Sequence, residues 1–250
     1  MIPPWEGGVL TAWPRGHNLA SYLFITYFIS LVNRERLNFK KGLVKMKILY
    51  ATSNKGKIAE LNRTIRLENL EAEVITLKDI NFNEDVEENG ETFEENSNIK
   101  AEAVRSFCEK NGIDYEIIIA DDAGICIDFL NGKPGVYSAR YAGEGATQEE
   151  ILDKILNEMQ DAKEFNQRTA TFVCVLTGIL KNGEKIVKKG ETHGNIAFKI
   201  SKLGGLTYNP VFIPKGFTKT VIEMGDEEFQ KVHNHRMAAL EALLKELRRA

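Results

Sequence analysis

The chain has little cysteine, little net charge and no apolar run long enough to cross a bilayer. Each shortage excludes a class of protein. Its three cysteines, Cys108, Cys126 and Cys174, lie far apart and form no C-x-x-C pair. That excludes a disulfide framework and a zinc knuckle and fits a reducing cytosol, so a cytoplasmic location is expected. A net charge of −3 supplies no global basic field, and nucleic acid is not an expected partner. The apolar stretch Leu19–Val32 holds 14 residues, short of the roughly 20 that a membrane helix needs. No small-residue cleavage site follows it, so neither a membrane anchor nor a signal sequence is expected. Internal repeats and low-complexity tracts are absent.

What is present is ordinary for a soluble domain: 43% hydrophobic and 28% charged residues in a chain of 250. That length suits one domain or a compact two-lobed one. Residues 1–45 differ from the rest. They carry a net charge of +4, which leaves −7 for the remainder, and they hold three of the six prolines, Pro3, Pro4 and Pro14. A strand begins at Met46 and needs nothing before it. Residues 1–45 are therefore expected to be an N-terminal extension, outside the fold or poorly ordered, with the working domain at 46–250.

From Met46 onward strands and helices alternate, which predicts an α/β fold. Lys47–Ala51 reads as a buried strand, followed by a helix whose inner stripe is Ile58, Leu61 and Ile65. Ala72–Leu77 is a second strand. Thr92 with Glu95 forms a capping box for a helix through Phe107, and Thr147 with Glu150 forms another. The second helix buries Ile151, Leu152, Ile155, Leu156 and Met159. Ile117–Ala120 reads as a core strand ending at Asp121-Asp122. Thr169–Leu180 and Lys185–Gly190 read as a hairpin turning at Asn182-Gly183. Val211-Phe212-Ile213 is a further short strand, and a closing helix carries Met237, Leu240, Leu243, Leu244 and Leu247. An antiparallel hairpin within an otherwise alternating pattern predicts a mixed sheet.

Three segments carry chemistry. Thr52-Ser-Asn-Lys-Gly-Lys57 runs from the first strand into a helix that opens with Lys55 and Lys57. Cations at an already positive helix start are unfavourable unless an anion offsets them, and a phosphate is the natural one. The same residues also suit an ordinary N-cap at Ser53 or Asn54 with solvated lysines, and both readings stand at this point. The pattern is neither a Walker loop nor a dinucleotide glycine fingerprint. Asp121-Asp122 stands at a strand end, a usual place for a site in an open α/β sheet, although a turn-forming pair reads equally well. The acidic loop at 83–91 contains Glu87 and Glu88, suited to a shared hard-oxygen site or simply to solvation. Carboxylates converging from both segments would suit Mg²⁺ and would orient an attacking water. His233-Asn-His-Arg236 opens the last helix. Two histidines two apart face different ways, so a His–His metal pair is not expected. Cys126 and Cys174, flanked by Ile and Val, read as packing thiols.

Taken in order, these segments resemble the inosine triphosphate pyrophosphatase family, which hydrolyses non-canonical purine nucleoside triphosphates. The resemblance runs from Met46 to about Leu247. Thr52–Lys57 looks like the family's T-x-N-x-x-K loop. Glu88-Asn-Gly-Glu-Thr-Phe93 with Glu95-Asn96 and Lys100-Ala101 looks like its T-F-x-E-N-x-x-x-K-A helix start. Ile119–Gly124 and Gly132–Arg140 resemble its most diagnostic blocks, and Gly205–Phe212 and His235-Arg236 resemble its G-F-G-Y-D-P-x-F and S-H-R blocks.

The resemblance implies a two-lobed α/β fold with a long mixed sheet, a nucleotide cleft between the lobes and a homodimer. It implies Mg²⁺-dependent hydrolysis of the α–β phosphoanhydride of dITP, ITP or XTP. Glu87 and Asp122 would hold the metal, Asp122 would also activate water, and whether Glu88 or Asp121 shares the metal is left open. Lys57 and Lys100 would bind phosphates, with Thr52, Ser53, Asn54, Lys55, Gly56 and Ala123 beside them. Leu206, Thr207, Tyr208 and Asn209 would line the base pocket, and His235 and Arg236 would read the 6-keto edge.

The chain departs from the family pattern in that pocket. Leu206 and Asn209 stand for the usual Phe and Asp, Ala123 for a serine, and Gln230 for a lysine. The alternatives are the same chemistry on another base, or a nucleotide sensor with little turnover.

Overall fold

The computed structural model describes residues 45–229 and 231–248. The apolar run Leu19–Val32, nearly all of the expected extension and Gln230 lie outside the described residues. The sheet has six strands: β1 (Met46–Tyr50), β2 (Ala72–Thr76), β3 (Ile117–Ile127), β4 (Thr169–Leu180), β5 (Lys185–Ile196) and β6 (Phe212–Pro214). They lie in the order β2-β1-β3-β4-β5-β6. β1 is parallel to both β2 and β3, and all pairings beyond β3 are antiparallel. The helices are α1 (Lys55–Leu67), α2 (Phe93–Asn111), α3 (Gln148–Glu158), the single turn α4 (Asp226–Phe229) and α5 (His235–Leu247). The fold is α/β with a mixed sheet, as the sequence predicted.

Apolar periodicity decides which helix covers which face. α1 and α5 bury Leu61, Ile65, Leu240 and Leu244 against Ile48, Tyr50, Ile117 and Ile119. α2 packs Val104 and Cys108 on the opposite face, against Leu49, Ile118 and Ala120. At the other end of the long strands α3 buries Ile151, Leu152 and Ile155 against Ile125, Ile127, Ala170 and Phe212. β3 therefore runs from one packed lobe into the other. Both predicted capping boxes form, at Thr92 for α2 and Thr147 for α3. The hairpin turns at Gly183, whose φ of 89° suits only glycine without strain.

Three boundaries differ from expectation by more than one residue. β3 does not stop at Ala120, so Asp121-Asp122 are mid-strand residues and neither a strand end nor a turn. The reason is pairing: β1 supports only Ile117–Ile119, whereas β4 pairs with every residue from Ile117 to Ile127. β5 continues past Gly190 to Ile196 because β4 pairs with it as far as Asn195. α2 continues past Phe107 to Asn111, where Gly112 at φ 65° caps it.

The strand order places α1 and α2 on opposite faces, so the chain reverses winding at β1. Ligand crevices in α/β sheets open at such a point, beyond the carboxyl end of the strand. Thr52 begins the loop there. Among the described residues no helix is long and apolar enough to cross a membrane.

Candidate active site

Asn54 is the N-cap of α1. Its Oδ1 accepts from Gly56 N at 2.9 Å and Lys57 N at 3.2 Å, and its own N donates to Thr52 Oγ1 at 3.2 Å. The cap reading of this loop is thus correct, and Gly56 has no side chain to crowd Asn54. Lys57 is nevertheless offset by an anion: its Nζ lies 2.8 Å from Asp121 Oδ2. The carboxylate of β3 occupies the role that the sequence gave to a phosphate. Ser53 and Lys55 are exposed and make no side-chain hydrogen bond or ion pair among the described residues.

Because side chains alternate along a strand, adjacent Asp121 and Asp122 face opposite sides of the sheet. Asp121, on the α1/α5 face, is fully buried. It accepts from Tyr50 Oη at 2.9 Å, Lys57 at 2.8 Å and Arg236 Nε at 3.2 Å. Burial pushes its pKa up, but Lys57 and Arg236 overcome that and hold the carboxyl well below its ordinary range. Asp122, on the α2 face, accepts from Asn96 Nδ2 at 3.1 Å and from Ala123 N at 3.0 Å. Its pKa is raised, mainly by burial, against the pull of Lys100.

Lys100 Nζ stands between Glu88 Oε2 at 3.0 Å and Asp122 Oδ1 at 3.5 Å. Two carboxylates already sharing a cation form a donor set that fits a hard divalent ion. Glu87, by contrast, is exposed, with no ion pair or side-chain hydrogen bond among the described residues. Nor do those residues include a group of three or more His, Cys, Asp and Glu placed to hold a metal.

A mostly apolar cavity of about 200 Å³ opens beside this network. Ala123, Leu206, Thr207, Tyr208, Asn209, His235 and Arg236 all line it, so Ala123, expected beside the phosphates, lies on the same wall as the residues expected around a base. Tyr208 is fixed by its Oη, which donates to Ser138 O at 2.7 Å. His235 stacks on Phe172 with ring centroids 5.0 Å apart and planes 10° apart. Burial, then neighbouring Arg236, pushes the imidazole down to about 3, so it is neutral at pH 7 and offers one donor and one acceptor. His233 is a surface histidine, 3.3 Å from Glu241. Arg236 gives Nε to Asp121 and Nη1 to Glu60 at 2.9 Å, which offsets a cation at the start of α5. Glu60 also accepts from Asn234 Nδ2 at 2.8 Å.

Sequence reasoning missed Glu60, Asn96, Tyr50 and Phe172. Glu60 had a local signal, since it lies three residues after Lys57 and shares its helix face. Asn96 lay inside a matched motif without a role. Tyr50 and Phe172 fell within expected strands without a role, and only the tertiary structure brings them to the site.

The Ham1 family model matches residues 48–246. The chain is 38% identical to a dITP/XTP pyrophosphatase of Clostridium perfringens (strain 13 / Type A) over 197 residues, 79% of this chain and 95% of that protein. It is 39% identical to a dITP/XTP pyrophosphatase of Bacillus subtilis (strain 168) over 203 residues, 81% and 98% of the two chains. Among solved structures, a HAM1 protein from Coxiella burnetii superposes with a TM-score of 0.69 at 33% identity, over 82% of this chain and all of that one. The Ham1 protein of Staphylococcus aureus matches equally well, with a TM-score of 0.69 over 81% of this chain. A matching sequence model over the whole domain, relatives aligned almost end to end and the same sheet lead to one conclusion: the chain belongs to the Ham1 family.

Proposed function

We propose that the protein hydrolyses non-canonical purine nucleoside triphosphates, dITP, ITP or XTP, to the monophosphate and pyrophosphate. One observation carries this reading. Arg236 belongs at once to the wall of an apolar, base-sized cavity and to the Lys57–Asp121 ion cluster at the head of α1. A base and a charged chain attached to it would find complementary surfaces side by side. The dITP/XTP pyrophosphatases to which the chain is similar act on such molecules.

In this reading the phosphates lie along the Thr52–Lys57 loop, where Lys57 exchanges Asp121 for a phosphate oxygen. Lys100 turns from Glu88 and Asp122 to the same chain of phosphates. Asp122 and Glu88, joined by the exposed Glu87 of the same acidic loop, would supply oxygen donors for Mg²⁺. Mg²⁺ held by these oxygens would supply charge neutralisation and Lewis-acid polarisation of the phosphates. Asp122 takes the proton of the attacking water. The water oxygen bonds to the α-phosphorus, the α–β bridging P–O bond breaks, and pyrophosphate leaves. Neutral His235 and the remaining Nη2 of Arg236 address the 6-keto edge of the base.

A second reading keeps this chemistry and changes the base. Leu206 offers less stacking than an aromatic ring, and Asn209, which both donates and accepts, lines the cavity. One experiment tests both: pyrophosphate release from a panel of triphosphates with Mg²⁺. Highest kcat/KM for dITP, ITP or XTP supports the first reading, and a different best base supports the second. No release from any member refutes both. We further propose a homodimer, from the family resemblance, a cytoplasmic location, from three free cysteines, and a catalytic domain at 46–250.

A further inference from the structure

The loop joining β5 to β6 brings Leu206, Thr207, Tyr208 and Asn209 to the cavity, and a side chain from another element holds it in place. Gln148, the first residue of α3, donates from Nε2 to the carbonyls of Gly204 at 3.1 Å, Leu206 at 3.0 Å and Thr207 at 3.1 Å. Its Oε1 accepts from Gly204 N at 2.8 Å. Two amide hydrogens serve three carbonyls, so at least one hydrogen is shared, and the carbonyls must converge to reach it. The capping box at Thr147 fixes the start of α3 and with it the origin of this side chain.

Tyr208 is held by Ser138 and Asn209 O accepts from Ile222 N, but the stretch from Gly204 to Thr207 has little besides Gln148 to define it. Gly204 and Gly205 sit at φ 128° and 65°, conformations that glycine adopts at no steric cost but does not enforce. Leu206 is 59% exposed, so packing does not fix it. Its carbonyl is held from two sides, by Gln148 Nε2 and by Asn209 N at 3.0 Å. Gln148 itself is not part of the cavity wall.

We propose that Gln148 is a positioning residue for base selection: it touches no substrate, and it holds the loop whose residues meet the base. The proposal depends on the reading of the cavity as the base site. With the clamp in place, the loop is ordered before substrate arrives. Without it, each binding event must order the loop, which weakens binding of the ground state and the transition state alike. The signature is therefore a rise in KM with kcat retained, together with weaker discrimination between bases.

The test compares wild-type protein with Gln148→Leu and Gln148→Glu. The leucine removes every polar contact. The glutamate keeps length and the acceptor for Gly204 N but, when ionised, cannot donate to the carbonyls. Pyrophosphate release from ITP and ATP is measured, together with calorimetric binding of inorganic tripolyphosphate, which probes the phosphate end alone. Both variants are expected to raise the KM for the preferred triphosphate about tenfold with kcat within about twofold of wild type. The ITP-to-ATP ratio of kcat/KM moves towards one, and tripolyphosphate affinity is unchanged. The proposal is overturned by wild-type KM and base ratio in a folded variant. It is equally overturned by a parallel loss of kcat, tripolyphosphate affinity and melting temperature, the mark of a general structural role. If the leucine variant does not fold, the glutamate variant decides on the same criteria. Absence of release by the wild-type protein would instead count against the proposed function.

Discussion

Asp121 and Asp122 are neighbours in sequence and strangers in space. The alternation of β3 sends one towards Lys57 and Arg236 and the other towards Asn96 and Lys100. The first is stabilised as a carboxylate, so it anchors cations. The second is also buried, and that burial outweighs the pull of Lys100 and raises its pKa. Asp122→Asn removes the proposed base and is expected to lower turnover about a thousandfold while nucleotide still binds. Single-turnover pyrophosphate release beside equilibrium binding checks this, and unchanged turnover refutes the assignment.

His235 makes a second prediction at this scale. Its pKa falls from 6.5 to about 3 on folding. Between those values the unfolded chain binds a proton that the folded chain refuses. Stability therefore drops as pH falls through about 6.5 towards 3, by up to about 1.4 kcal/mol per pH unit. Asp121, whose folded pKa lies below its ordinary 3.8, adds to the loss only in more acid solution. Urea midpoints between pH 7.5 and 5 should decline for wild type and decline less for His235→Phe.

Elements place these groups by close backbone approach. β5 and α5 meet at Gly190, where a Cβ would overlap the carbonyl oxygen of His235 and stand 2.6 Å from Ala239 N. Gly190→Ala must push the start of α5 away from the sheet, and the cavity residues His235 and Arg236 move with it. The expected cost is about 1–3 kcal/mol of stability together with a raised KM. Chemical denaturation and steady-state kinetics on the same preparation read both. Capping at this scale was legible beforehand: Thr92–Glu95 and Thr147–Glu150 are pairs three residues apart whose partners are fixed by helix geometry alone. The Asn182-Gly183 hairpin was legible for the same reason. The length of β3 was not. It depends on β4, whose partner residues lie some fifty positions away, and no local pattern around Asp121-Asp122 announces them.

At the scale of the whole molecule the family model begins at residue 48, two residues after Met46. A chain starting at Met46 is expected to match the full chain in melting temperature and in kcat/KM for its best triphosphate. A marked loss of either would give residues 1–45 a part in the fold or the chemistry. By itself the sequence determined what depends on neighbours: the alternation of strands and helices, the caps, the mixed character of the sheet and the residue types available to the candidate site. Only the tertiary structure decided the pairings. Arg236 meets Glu60 across 176 residues of chain, and Asn96 meets Asp122 across 26. Lys57 finds a carboxylate where the sequence suggested a phosphate, and Gln148 reaches a loop more than fifty residues on. Local propensity is written in a few consecutive side chains. The partner of a buried charge is set by which strands stack side by side, and that is a property of the folded chain as a whole.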